Sequence, residues 1–314
     1  MPLGREPAAE RHGRYDMQVL LTGGTGFIGS AVLRELRDRG HEVTALVRSE
    51  ASAAAVADAG ATPLHADVHD VDALAAALAA TDGAIHTAAP DDGTNEALDR
   101  AVVAAVARAY GGTTRPFVHT SGVWKHGSGA GGTDDAPADP PAIVAWRVAV
   151  EEHLLAQDVV ASVVAPGVVY GHGRGLPTLL AGAPRVDGPD GTGLALVGDG
   201  TQRWSVVHVD DLAELYALAL ERGARGHLLG TTAENPTVRS LGEAASRAAG
   251  LGGVVVPQTV EQTRERLGAA LADALLLDQA PRAQRSVELG WSPRRGTLAD
   301  ELESGSYAPE AARA

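Results

Sequence analysis

MQVLLTGGTGFIG, residues Met17 to Gly29, is the stretch whose reading decides the fold. Val19, Leu20 and Leu21 make an apolar run of the kind that fills a buried parallel strand, and Thr22 to Gly26 breaks it. From Ile28 the apolar period changes. Ile28, Val32, Leu33 and Leu36 fall on one helical face, and Gly40 ends the helix. Strand, glycine turn and helix in that order build a phosphate site. The turn brings backbone up to a pyrophosphate, and the free N–H groups and positive dipole end of the helix face the anion. A side chain at Gly23, Gly26 or Gly29 would block the turn, the ligand or the strand–helix contact. Three glycines alone make only a tight connection; a second strand at His41 to Val47 turns the pattern into a dinucleotide-binding one.

Outward from this unit the alternation continues. Helices are predicted over Ala51–Ala59, Val71–Ala80 (behind a capping Asp70) and Asn95–Tyr110, with strands at Ala61–Ala66, Gly83–Thr87 and Pro116–Thr120. Such alternation predicts an α/β fold, a doubly wound parallel sheet of Rossmann type, with the dinucleotide-binding domain over residues 17–170. Ser128–Pro141 reads as loop, Ile143–Ala156 as helix and Val159–Ala165 as strand. Gly171–Gly200 shows little regular pattern, and long stretches of that kind usually carry function or move. A strand at Val206–Val209, a helix at Asp211–Glu221 and a strand at Gly226–Leu229 return residues 204–230 to the Rossmann core. The rest of 171–314 forms a smaller C-terminal substrate-binding lobe, with helices over Ser240–Ala249 and Val260–Leu276 and a strand at Val254–Val256.

Composition narrows the function. At 314 residues the chain can bury a large core, and its formal charge of −14 argues against nucleic acid or an anionic membrane as partner. Cysteine is absent, so neither a disulfide framework nor a thiol nucleophile is available. Residues 1–16 are polar and read as a disordered leader, and no apolar run reaches membrane-spanning length. A soluble cytoplasmic protein acting on a small molecule is the expectation. Lys125 is the single lysine of the chain, so any mechanism that needs a lysine has one candidate.

Dinucleotide folds read the adenosine ribose at the end of the second strand, where an acid bonds the 2′-hydroxyl of NAD and an arginine accommodates the 2′-phosphate of NADP. Ala45–Ser49 contains no acid, and Arg48 lies about 20 residues past Gly29, so NADP is favoured over NAD. The alternative for Arg48 is a solvated surface arginine, and Glu50 stands close by.

With these residues in place the chain resembles the short-chain dehydrogenase/reductase superfamily. The likeness is carried by TGGTGFIG at Thr22–Gly29, LVRS at Leu46–Ser49, the Asp67–Val68 pair and HTAA at His86–Ala89. PGVVYG at Pro166–Gly171 and VHVDDLA at Val207–Ala213 are similar to its extended or atypical branch, the NAD-dependent epimerase/dehydratase family. The resemblance runs over roughly residues 17 to 305, including Gly290–Pro293. It implies a cofactor held by Thr22, Gly23, Thr25, Gly26, Phe27, Ile28 and Gly29, with Asp67 and Val68 flanking the adenine. Thr87, Ala88 and Ala89 would line its central region, and Arg147 and Pro166 would lie at its nicotinamide end.

The catalytic positions depart from the family. Its tyrosine and lysine lie four apart on the helix after the long loop, with a glutamate four beyond the lysine. Anchored on Glu151, those positions are Ile143 and Arg147, so the tyrosine–lysine pair is missing. Arg147 is left to hold the nicotinamide ribose or to pair with Glu151. Thr120–Ser121–Gly122 matches the family's serine-rich turn, which puts the Ser121 hydroxyl, with Thr120 second, near the expected substrate carbonyl; a strand-end cap is the alternative. Lys125, His126 and Tyr170 are the candidate proton donors. Trp124, Trp204 and His208 are candidate substrate contacts, with core packing as the other reading. Trp204 stands where relatives acting on nucleotide sugars carry an arginine for the substrate diphosphate, although Arg203 is adjacent. His65, Asp67, His69 and Asp70 share a loop, but its adenine-side position argues against a metal.

The reading is an NADP-dependent ketone reductase or alcohol dehydrogenase with non-standard catalytic residues, acting on a small uncharged, aromatic or polycyclic substrate. Two others share the same fold: a non-redox epimerase, dehydratase or lyase, and a cofactor-binding regulatory protein. A homodimer through the helices at Asn95–Tyr110 and Ile143–Ala156 is a family expectation.

Overall fold

A computed structural model describes residues 16–310 except 91 and 131. Apart from Asp16, the leader assigned to residues 1–16 lies outside the described residues. The first half builds strands β1 (Gln18–Thr22), β2 (Glu42–Val47), β3 (Thr62–His65), β4 (Gly83–His86) and β5 (Pro116–Thr120). Helices α1 (Phe27–Asp38), α2 (Glu50–Asp58), α3 (Val71–Ala79) and α4 (Asn95–Tyr110) connect them. Helix α5 (Trp146–Leu155), strand β6 (Val160–Pro166), helix α6 (Val209–Glu221) and strand β7 (Gly226–Gly230) complete the layer. The sheet runs β7-β6-β5-β4-β1-β2-β3 with every pair parallel. This is the Rossmann order, and its direction reverses between β1 and β4, where such sheets open a crevice at the strand ends.

Both faces of the sheet are covered, as a continuously apolar parallel sheet requires. Val32, Leu33 and Leu36 of α1, Val56 of α2 and Leu212, Leu215 and Tyr216 of α6 share one core, which Trp291 closes by donating its Nε1–H to the Asp211 carbonyl at 2.7 Å. Leu74 and Leu78 of α3, Val102 and Val106 of α4 and Leu154 of α5 fill the other face. A third core, in the C-terminal lobe, gathers Tyr170, Leu180, Trp204, Leu241, Leu275 and Leu298.

Three expected elements differ. The helix expected from Ile143 begins at Trp146, because Pro140 and Pro141 lead the chain in extended and Ala142–Val144 makes a 3-10 turn. The helix expected over Val260–Leu276 divides into Val260–Leu267 and Ala269–Leu275 at Gly268, whose φ of 80° no helix tolerates. Gly171–Gly200 holds a short helix, Thr178–Ala181, and a hairpin of Arg185–Gly188 with Gly191–Ala195. The hairpin escapes sequence reading because glycine interrupts its alternation: a Cβ on Gly193 would stand 2.7 Å from the Val254 carbonyl oxygen of the neighbouring strand.

The β1–α1 turn is the tightest joint. A Cβ on Gly29 would lie 2.0 Å from the Gly23 carbonyl oxygen and 2.6 Å from Thr87 Oγ1. Gly26 is exposed, and a Cβ there meets only the Gly23 oxygen, at 3.2 Å. The two glycines therefore separate fold from ligand. Gly29→Ala should cost about 1–3 kcal/mol or more by overpacking, read as a melting temperature lower by several degrees. Gly26→Val should melt with the wild type yet fail to bind NADPH in a fluorescence titration; equal melting of the two variants would contradict the assignment.

Candidate functional site

Two cavities flank the β1–α1 turn. The first, about 180 Å³, is lined by Thr22, Gly23 and Thr25 of the turn, Arg48 just after β2, Ser52 in the first turn of α2, Val68 after β3, and Thr87, Ala88 and Ala89 after β4. Gly26 caps α1 without a side chain, so the first N–H groups of the helix meet no side-chain acceptor at that cap. Glu50, almost fully exposed, has its carboxylate 3.6 Å from His65 Nε2 and does not line the cavity. Asp67, expected beside the adenine, is exposed and accepts the His69 N–H at 2.9 Å; its neighbour Val68 forms the wall. A helix terminus free of a side-chain cap, an arginine whose charge Asp92 feels and an apolar slot fit a dinucleotide. Phe27 lies under the Arg174 guanidinium, 5.2 Å from its ring centre.

Beneath this cavity runs a buried polar strut. Thr22 Oγ1 meets His86 Nδ1 at 2.6 Å, and His86 Nε2 meets Asp99 Oδ1 at 3.0 Å. A carboxylate must accept, so His86 donates from Nε2 and receives the Thr22 hydroxyl at Nδ1. Burial holds the His86 ring below its ordinary value. Burial works to raise the Asp99 carboxyl, but His119 and His86 outweigh it and hold it well below the usual carboxylate range. Arg147 adds a cation 3.5 Å from Asp99 Oδ2 and donates to the Thr120 carbonyl at 3.0 Å. It pairs with Asp99 and not with Glu151, and its guanidinium also stacks 4.5 Å from the Trp146 ring centre.

The second cavity, about 210 Å³, opens on the other side of α1. Ile28, Val123, Trp124, Val144, Pro166, Val168 and Leu176 give it apolar walls, and its ionisable and hydroxyl groups are Ser121 and Arg147. Of the residues proposed for chemistry or substrate, Ser121 and Trp124 line it.

The others are placed elsewhere, each for a physical reason. Thr120 Oγ1 donates to the His86 carbonyl at 2.6 Å and lies 2.7 Å from the Tyr216 hydroxyl, inside the layer. Tyr170 is buried, gives its hydroxyl to the Gly296 carbonyl at 2.6 Å, and burial pushes its phenol well above the ordinary range. A proton-donor role does not fit that placement. Trp204 is a core residue, with its Nε1–H on the Leu275 carbonyl at 2.9 Å. His208 caps α6 by accepting the Asp210 N–H at 3.1 Å. Neither Trp204 nor His208 lines the second cavity, which corrects the substrate contacts expected of them. Arg203 is held on both carboxylate oxygens of Asp278, at 2.9 and 2.8 Å, and so is not free to hold a diphosphate.

Lys125 and His126 face a third cavity, about 220 Å³, on the far side of Glu151. Glu151 is buried and central: it accepts the Ser121 hydroxyl on Oε1 and the Lys125 ammonium on Oε2, at 2.8 Å for the latter. Lys125 Nζ also donates to His227 Nδ1 at 2.7 Å. Burial, then the Lys125 charge, lowers His227 to about 4, and burial and Lys125 lower His126 too. Sequence reading used Glu151 only to place the family's helix positions and missed it and His227 as site residues; the single-lysine count was the one signal pointing to this cluster.

Among the described residues, two groups lie within ligand distance of a common metal: His86–Asp99–His119 and His172–His208–Asp210. Each carboxylate already faces guanidinium, Arg147 in the first and Arg34 and Arg295 in the second, and that positive charge opposes a metal ion.

Residues 23–190 match the family model described as NAD(P)H-binding. An uncharacterized protein of Schizosaccharomyces pombe, C2A9.02, is 34% identical over 302 residues, which cover 93% of this chain and 100% of that one. The 2-alkyl-3-oxoalkanoate reductase of Stenotrophomonas maltophilia is 30% identical over 228 residues, 67% of each chain. Among solved structures, the human epimerase family protein SDR39U1 with NADPH superposes with a TM-score of 0.70 at 24% identity, covering 92% of this chain and 99% of that one. Thermus thermophilus UDP-glucose 4-epimerase with NAD gives 0.70 at 22% identity, covering 93% and 98%. At such identities the likeness is one of fold. No helix among the described residues is long and apolar enough to cross a membrane.

The third cavity has a pH signature. His227, faced by Lys125, Glu151, His126 and Asp135, is held neutral in the fold. Its contribution is complete above the unfolded value of 6.5 and is lost as pH falls toward about 4. At most about 3 kcal/mol of stability should disappear over that window. Urea titrations at neutral and acid pH should show a smaller loss in His227→Gln than in the wild type, and equal losses would refute the placement.

Proposed function

The chain belongs to the NAD(P)H-binding family, and from that premise we propose that it is an NADP(H)-dependent oxidoreductase interconverting a small, uncharged carbonyl compound and its alcohol. The carrying observation is the second cavity: apolar walls, one hydroxyl from Ser121, and Arg147 already engaged by Asp99 and the Thr120 carbonyl. Such a space takes an uncharged substrate, and Ser121, whose hydroxyl rests on Glu151 in this structure, offers the substrate oxygen one hydrogen-bond donor once that proton turns into the cavity. Trp124 in the wall suits an aromatic or alicyclic ring. The family member from Stenotrophomonas maltophilia, named as a reductase of 2-alkyl-3-oxoalkanoates, supports carbonyl reduction as the reaction class. Against epimerisation of a nucleotide sugar stand Trp204 in the core and Arg203 clamped by Asp278.

When bound, the cofactor supplies a hydride at its nicotinamide. The residues of the chain do the rest. Thr22 to Gly29 would hold the pyrophosphate, Arg48 with the start of α2 would receive a 2′-phosphate, and Arg147 and Pro166 would border the nicotinamide end. Ser121 polarises the carbonyl oxygen and stabilises the charge that develops on it, while the apolar walls exclude water.

Two measurements test this. NADPH should bind more tightly than NADH, and Arg48→Ala should narrow the gap about tenfold, the worth of one charge-assisted hydrogen bond; a calorimetric preference for NADH refutes the cofactor reading. Loss of nicotinamide absorbance with acetophenone, cyclohexanone or 2-octanone should report turnover. Ser121→Ala should lower kcat by about 10²-fold. NADPH binding without consumption of any carbonyl would sink the reductase reading.

A further inference from the structure

The missing tyrosine leaves the reaction without a proton source, and the residues behind Ser121 supply one. Ser121 lines the apolar cavity, Lys125 lines the separate third cavity, and Glu151 stands between them with one carboxylate oxygen on each. Ser121, Lys125 and Glu151 are all buried, at 8%, 4% and 2% exposure. Three elements converge to make the contact. The 3-10 turn Val123–His126 after β5 folds Lys125 back under Ser121, α5 brings Glu151, and β7 brings His227 against Lys125 Nζ. His227 is half-buried and accepts from the ammonium, so it fixes the lysine without adding a second positive charge.

We propose that Ser121, Glu151 and Lys125 form a proton relay from the third cavity to the substrate oxygen, taking over the task of the absent tyrosine–lysine pair. The inference rests on the reductase reading above. In reduction, protonation of Glu151 releases the Ser121 hydroxyl, which rests on the carboxylate in this structure, and the Ser121 O–H then gives its proton to the substrate oxygen as that oxygen gains charge. The Lys125 ammonium protonates the Glu151 carboxylate, the carboxyl returns a proton to Ser121 Oγ, and the lysine amine takes one from water in the third cavity. One proton enters from solvent for each alcohol formed, and the three side chains end as they began. Alcohol oxidation runs the same path outward. Ser121 is the group that touches the substrate; Glu151, Lys125 and His227 act through it. The other charged or titratable groups lining the third cavity with the lysine are His126, Asp135 and Glu152.

The single lysine makes the relay directly readable. Protein grown with ¹³Cε-lysine gives one lysine resonance, whose pH titration needs neither cofactor nor substrate. Glu151→Gln should lower its midpoint by a pH unit or more, because the facing anion is lost. Ser121→Ala should raise it by a few tenths of a unit, because the carboxylate then turns wholly to the lysine. A Ser121→Ala titration that matches the wild type would show the network uncoupled and overturn the relay.

Turnover supplies the second arm, with whichever of the three ketones is consumed. Lys125→Arg keeps the cation but holds its proton too tightly to pass on, so kcat should fall by about 10²-fold with KM and the NADPH dissociation constant unchanged. Lys125→Ala should recover activity on addition of methylamine, which fits the third cavity, and its pH profile should move with the added amine. Wild-type kcat and pH profile in Lys125→Arg would overturn the relay even if that enzyme reduces ketones. If no ketone is consumed, the reductase reading falls, and with it the direction of proton flow, while the lysine titration still decides whether the three groups are coupled.

Discussion

Everything in this molecule hangs on how closely α1 sits on β1. The Gly29 α-carbon faces the Gly23 carbonyl and the Thr87 hydroxyl with no room for another carbon. That contact fixes three things together. It aims the α1 N-terminus at the crevice between β1 and β4, sets the walls of the first cavity, and puts Ile28 into the wall of the second. Because Gly23 needs a φ of 75° and its own missing Cβ would strike the Ala88 backbone at 2.6 Å, the turn also locks β4 in place. One close approach thus couples the cofactor cradle to both sides of the site.

Under the cradle the protein keeps its polar groups tied to one another. Thr22, His86, Asp99 and Arg147 pass from β1 through β4 and α4 to α5, so the strand ends at the first cavity are braced by directional bonds as well as by packing. Asp99 is nearly enclosed, and a buried carboxylate survives there only because Arg147 and the two histidines surround it. Arg147 occupies the position where the resemblance calls for a lysine. Its binding to the Thr120 carbonyl and to Asp99 makes it a brace between α5 and the β5 end, and it keeps a side in the second cavity.

How much of this was legible in the sequence follows from distance along the chain. The β1–α1 turn was read by period and glycine spacing, Arg48 by its place after the second strand and the Thr87–Ala89 segment from the family resemblance, and each lies on the first cavity. The hairpin in 185–195 was not readable, because its short strands carry glycine where backbones meet. Tyr170 was a candidate proton donor and Trp204 a candidate substrate contact with core packing as its other reading; hydrophobic burial with one hydrogen bond per polar tip accounts for both. Glu151 served only to set the register of its helix. Its partners lie 30 residues back at Ser121 and 26 back at Lys125, and His227 joins the lysine across 102 residues. No local period reports a cluster assembled from a turn, a helix and a distant strand.

The Glu151–Lys125 pair is hard to explain as a stabilising device. Taking both charges out of water costs several kcal/mol per ion, and well-packed apolar residues in their place are often neutral or better for stability. The surroundings make that replacement easy to picture, since Val123, Val150 and Leu154 nearby are apolar and buried. Instead the chain commits its single lysine to this spot, gives it a neutral histidine as second acceptor, and places a serine hydroxyl on the other carboxylate oxygen. Each element of that arrangement is a group that gains or loses a proton, and its two ends open on different cavities. A purely structural pair has no need of two openings; a path for protons between an apolar pocket and solvent needs both.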